Sequence, residues 1–163
     1  MNTITKDIIN AIETKELTKA AERFIIHWLS NEEKTTEDRE VIEQLAMSRA
    51  FPSKYDNLFR GCKKLKDGNA ESYSTSIREA ARFAGNDGYV IAVDVSKSCF
   101  YSFDFSEFVY SLIGDIIWGK KENCYSETLI DIYEEFSGEG EVFLVTDLES
   151  SVVLNVESIG SEL

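Results

Sequence analysis

Two glutamates, Glu139 and Glu141, stand two residues apart in SGEGEVFLV, just before an almost wholly apolar run. If residues 139–141 are extended, both carboxylates share one face. Such a pair can divide labour: one acid stabilises a cationic centre while the other orients or deprotonates an incoming nucleophile. Two acids opening a buried strand are also accounted for as solvent-facing gatekeepers. Arg60 lies in the apolar stretch LFRG, a costly place for a guanidinium unless something anionic pairs with it. Its planar fork suits phosphate oxygens, and Gly61 beside it would admit a ligand or a neighbouring strand. The alternative is an edge-strand arginine in a salt bridge. The third group is Ser74, Thr75 and Ser76 within ESYSTSIREAARFAG. Ser76 and Glu79 fit the S-x-x-E capping box ahead of an apolar stripe made by Ile77, Ala80, Ala81 and Ala84. That gives Ser76 a structural role and leaves Ser74 and Thr75 unexplained. Phe83 falls well away from the stripe at ~100° per residue, so its ring is either packed by another element or offered to a planar ligand.

These residues must be positioned by elements that periodicity outlines. Apolar spacing predicts helices over residues 4–13 and 18–29, and a third capped by Thr35 or Thr36 that runs to about Ala50, with Val41, Leu45 and Met47 among its apolar positions. Pro52, the one proline, closes this mainly helical part, residues 1–52. Residues 57–62 read as a strand, 63–70 as a polar turn and 77–84 as a short helix. Residues 89–96 (YVIAVDVS) are the clearest strand. Helices are expected around 104–117 and 126–136, then two strands, 141–146 and 151–157, joined by the acidic turn DLES. The pieces favour an α+β domain over residues 1–163, with N-terminal helices followed by a mixed β-sheet core.

Composition narrows the function classes. The chain of 163 residues is 43% hydrophobic and 12% aromatic, values of a folded domain. No stretch is apolar and long enough to span a bilayer and no signal-peptide core opens the chain, so the expected location is the cytosol and no membrane partner is expected. Three scattered cysteines and one histidine argue against a disulfide framework or a structural zinc site. His27 reads as structural or surface, since no nucleophile neighbours it in sequence. The net charge is −13. Residues 1–100 are nearly neutral, whereas residues 101–163 carry 14 acidic and 2 basic side chains. That half repels phosphates, which makes nucleic acid a poor partner, and suits a basic protein. Arg60, Lys63, Lys64 and Lys66 form a positive cluster that could face a small anion or sit in a solvated loop.

The order of these three groups carries a resemblance. Arginine in F-R-G, then Y-S-T-S-I-R-E-A-A-R-F-A, then G-E-G-E-V-F-L resembles the ADP-ribosyltransferase family. The class concerned is the arginine/serine/glutamate class, which includes bacterial binary toxins, vertebrate arginine-specific enzymes and some phage enzymes. The likeness covers about residues 57–146 and implies that fold, with residues 57–157 as an NAD-binding core. It implies that Arg60 contacts a phosphate of NAD, and that Ser74, with Thr75 and Ser76, organises the nicotinamide pocket and orients the catalytic glutamate. Phe83 lies where a ring stacks near nicotinamide. Glu141 matches the glutamate that bonds the ribose hydroxyl and stabilises an oxocarbenium-like transition state, and Glu139 the upstream acid associated with an arginine acceptor. The implied cofactor-binding set is therefore Arg60, Gly61, Ser74, Thr75, Ser76, Phe83 and Glu141. Only residues 85–88 separate the Phe83 helix from the next strand, so the family's loop beside nicotinamide is trimmed or relocated.

The expected activity is mono-ADP-ribosyl transfer from NAD to an arginine of a target protein, as in a phage or bacterial effector working in bacterial cytoplasm. NAD glycohydrolysis or modification of a nucleic acid is the enzymatic alternative. A catalytically silent acidic protein that binds or inhibits a basic partner is the alternative from another class.

Overall fold

Each helix begins where the sequence supplies a side-chain oxygen. Asn2, Thr18, Thr35, Ser76, Asp104 and Ser126 each accept from a backbone amide two or three residues on, satisfying a donor that the first helical turn leaves free. They start α1 (Thr3–Thr14), α2 (Lys19–Leu29), α3 (Thr36–Ser48), α4 (Ile77–Ala84), α5 (Phe105–Ile117) and α6 (Glu127–Phe136). The computed structural model describes residues 1–30, 33–63, 70–95, 101–145 and 151–156. Lys64, Lys66 and the turn DLES lie outside them.

Six strands, β1 (Asn57–Cys62), β2 (Ala70–Ser74), β3 (Tyr89–Asp94), β4 (Tyr101–Phe103), β5 (Glu141–Val145) and β6 (Ser151–Asn155), form one sheet in the order β4-β5-β2-β1-β3-β6. The fold is α+β, but every strand pairing is antiparallel, not mixed. The reason is that the α4 crossover joins β2 to β3, which run the same way but are kept apart by β1. Nor do the last two strands form a hairpin. β5 lies between β4 and β2, while β6 pairs with β3 at the far edge.

The sheet consists of two trios. β4, β5 and β2 pair along their length, as do β1, β3 and β6, but β1 and β2 are joined at one position, Phe59 opposite Ser74. Since paired residues share a face, register sorts the side chains. Phe59, Gly61, Ser72, Ser74, Glu141, Phe143 and Phe103 fall on one face, and Leu58, Arg60, Glu71, Tyr73, Val142 and Leu144 on the other. On the first face, Phe143 and Phe103 join buried residues of the other five helices, while Phe59 and Val90 lie with α4 in a smaller cluster. On the second, Leu58, Ile91 and Val93 of one trio pack with Tyr73, Val142 and Leu144 of the other.

His27 of α2 has the expected structural place, its Nε2 3.0 Å from Asp38 of α3. Met47, expected among the apolar positions of α3, points outward.

Candidate active site

Glu141 opens β5 opposite Ser74, and its backbone amide donates to Ser106 Oγ in the first turn of α5 (2.7 Å). Its carboxylate receives two kinds of donor. Trp28 Nε1 lies 2.9 and 2.8 Å from the two oxygens, and Ser72 Oγ donates to Oε2 at 2.9 Å. The Trp28 ring is itself fixed, edge-on to Phe143 and stacked on Phe24. Lys34 donates to the Trp28 carbonyl, with its ammonium 4.4 Å above the indole centroid. Burial pushes the Glu141 carboxyl up from the usual range, while the Trp28 and Ser72 hydrogen bonds and the Lys34 and Arg60 charges oppose the rise. This is an oriented carboxylate, held through both oxygens.

Ser74, Thr75 and Ser76 explain themselves through the Glu139–Glu141 segment. Ser74 Oγ donates to the Glu139 carbonyl and accepts from the Ser76 amide (3.0 Å). Thr75 N donates to the Gly140 carbonyl at 3.1 Å. Gly140 sits at φ 58°, where glycine is favoured, and a Cβ there would lie 2.1 Å from Thr75 Oγ1 and force that hydroxyl to turn away. Ser76 caps α4 by accepting from the Glu79 amide, and the Glu79 carboxylate turns to Arg82 at 2.6 Å. The triplet is thus both a helix cap and a staple on the turn that carries the two acids.

That turn corrects one expectation. Ser137–Glu139 form a 3₁₀ turn and Gly140 is left-handed, so residues 139–141 are not extended and strand alternation does not align the acids. They are neighbours electrostatically all the same. Burial, the Glu141 charge and Glu79 raise the Glu139 carboxyl to about 6, against the pull of Arg82, whose Nη2 stands 3.6 Å from Glu139 Oε1. Phe83, beside Arg82, is 51% exposed, so its ring is off the buried face as its spacing predicts.

Arg60 projects from the other face of the sheet from Glu141. Its strand is internal, between β2 and β3, not an edge. Where pairing of β1 with β2 stops, its Nη1 donates to the Ser72 carbonyl (2.8 Å) and its Nη2 pairs with Glu71 at 3.3 Å. Arg39 of α3 pairs with the same carboxylate at 3.1 Å. Arg60 therefore meets Glu141 through Ser72, whose carbonyl takes the guanidinium and whose hydroxyl takes the carboxylate. A Cβ on Gly61 would lie 1.8 Å from the Ala80 carbonyl oxygen, so the room beside it is filled by α4.

Trp28, Ser72, Ser106 and Arg82 complete the site and were not singled out by the sequence. Only Ser72 carried a signal: S-Y-S places it on the face of Ser74 once residues 70–74 are read as a strand and not as the end of a turn. Among the described residues no group of three or more His, Cys, Asp or Glu could hold a metal ion, and no helix is long and apolar enough to cross a membrane. No protein-family model, curated protein or solved structure matches this chain.

Proposed function

We propose that the chain transfers ADP-ribose from NAD to an arginine of a target protein, releasing nicotinamide. The observation that carries this reading is the Glu141 carboxylate, fixed by Trp28 and Ser72, with a second acid of raised pKa two residues earlier that feels its charge. NAD supplies the ribosyl group and the nicotinamide leaving group. A pre-oriented carboxylate favours the positive charge that develops as a glycosidic bond breaks, because it needs no reorganisation at that moment. Glu139, with a pKa of about 6, is near the value at which a base works best around neutrality. Arg82 Nη2 already stands 3.6 Å from this acid, so an acceptor arginine would have to take its place there. Arg60 projects from the opposite face and engages Glu71 and the Ser72 carbonyl, so its part in this reading is to support Ser72, which donates to Glu141.

The test is incubation with NAD labelled in the adenosine half, together with bacterial lysate, following both nicotinamide release and label on protein. Glu141→Gln is expected to lower both by roughly a hundredfold or more. Glu139→Gln is expected to lose transfer while keeping nicotinamide release. Release without any label on protein would reassign the chain to NAD hydrolysis, label on nucleic acid would change the acceptor, and no release from the folded native chain would end the proposal.

A further inference from the structure

Away from the glutamates, α5 carries an aromatic surface that its own sequence builds. The Tyr110 ring lies flat across Gly114, where a Cβ would come within 3.0 Å of Cζ. Its hydroxyl accepts from Trp118 Nε1 at 3.0 Å, and Tyr133 of α6 stands alongside with ring centroids 6.5 Å apart. Three rings are thus held in a row, yet Tyr110 is 43% and Trp118 70% exposed. Glycine within a helix costs stability of itself, so Gly114 is best explained by the ring it admits.

The rim is acidic. Glu107, one turn before Tyr110, bears on Tyr133 electrostatically and also lines a cavity of about 300 Å³ with Phe51, Pro52, Lys54, Tyr55 and the buried Asp104. Asp115 precedes Trp118 by three residues and is exposed. Across residues 101–145 there are ten acidic side chains and two basic ones, Lys120 and Lys121 just beyond Trp118. Exposed indole and phenol faces edged by carboxylates attract guanidinium and ammonium groups. The same field repels phosphate backbones and a second copy of the chain.

We propose that the Tyr110–Trp118 ledge, with the adjoining Asp104–Glu107 cavity, docks a basic segment of a protein partner, whose arginine or lysine side chains lie on the rings. The docking stands independently of the NAD reading. It places the partner on the helix whose Ser106 anchors Glu141.

The probe is a fluorescently labelled octa-arginine peptide, titrated by anisotropy at low and moderate salt. Binding is expected to weaken with salt and to fall roughly tenfold in the Tyr110→Ala, Trp118→Ala double variant, as for the loss of interface anchors. Neither change alters net charge, so general attraction to an acidic protein would not produce this result. Gly114→Val, checked by circular dichroism, displaces the Tyr110 ring without removing it and is expected to act in the same direction. Equal affinity in all three proteins would overturn the proposal, as would tighter binding of a labelled single-stranded oligonucleotide. So would a concentration-dependent dimer in sedimentation that Trp118→Ala abolishes. Nicotinamide release by the double variant, expected unchanged, separates failure of docking from failure of the catalytic reading.

Discussion

The trio that carries Glu141 and the trio that carries Arg60 are packed in opposite ways. Behind β4, β5 and β2 stands a thick layer of large side chains, with Phe143 touching Trp28, Phe103 and Phe105. Against β1 and β3, α4 presents Ala80, Ala81 and Ala84, and its backbone approaches so closely that Gly61 has no space for a single methyl. Beyond them β6 leaves Val152 and Val153 exposed. The first trio is held by filled volume and the second by close backbone approach. Removing atoms should therefore damage one, and adding atoms the other.

The sharpest way to break that contrast is a matched pair of substitutions. Phe143→Ala leaves a cavity under Trp28 and is expected to cost about 3–5 kcal/mol, seen as a lower urea midpoint. It should also abolish whatever activity depends on an oriented Glu141. Gly61→Ala drives a Cβ into the Ala80 carbonyl and is expected to cost about 1–3 kcal/mol. An opposite ranking, or a neutral Gly61→Ala, would mean that α4 yields freely and that the second trio is not held by close approach.

Legibility depended on how local the signal was. α4 and β1 were readable to the residue, because an alanine stripe and an apolar run bounded by polar residues are local signals. β2 was not, since AESYS has the composition of a turn. It is a strand because Ser72 and Ser74 have partners in Glu141 and the Glu139 carbonyl, and Tyr73 is buried between the trios. β4 is three residues long and too short for any period to show. The two acids could be named from spacing, but not what orients them. Trp28 reaches Glu141 across 113 residues of chain, and no sequence window contains that contact.

Trp28 is where a smaller change separates orientation from packing. Trp28→Phe keeps a ring against Phe143 but removes the donor shared by both oxygens of Glu141. A buried charged acceptor that loses a donor is expected to cost about 1–3 kcal/mol. The Trp28 bond now favours the ionised carboxylate, so its loss raises the Glu141 pKa further. The acid limb of any activity that needs ionised Glu141 should then move to higher pH. An unshifted limb with unchanged stability would leave Ser72 as the sufficient donor.

The smallest effect is expected at Glu139, and its sign tells whether burial or Arg82 governs this acid. Its carboxyl is raised to about 6 from 4.5 chiefly by burial, with the Glu141 charge next. A raised acid binds its proton more tightly in the folded chain, so its contribution to stability is complete below about pH 4.5 and is lost as pH rises through about 6. With its side chain 22% exposed, solvent moderates the penalty, which should reach about 1–2 kcal/mol at neutral pH. Glu139→Gln is therefore expected to match the native chain near pH 4 and to exceed it by that margin at neutrality, read from urea midpoints across the range. Arg82 keeps Glu79 as a partner and so limits the offset. A native chain that remained the more stable at neutrality would show that Arg82 outweighs burial and the neighbouring charge. Glu139 would then be a structural ion pair and not an acid held ready for a guanidinium.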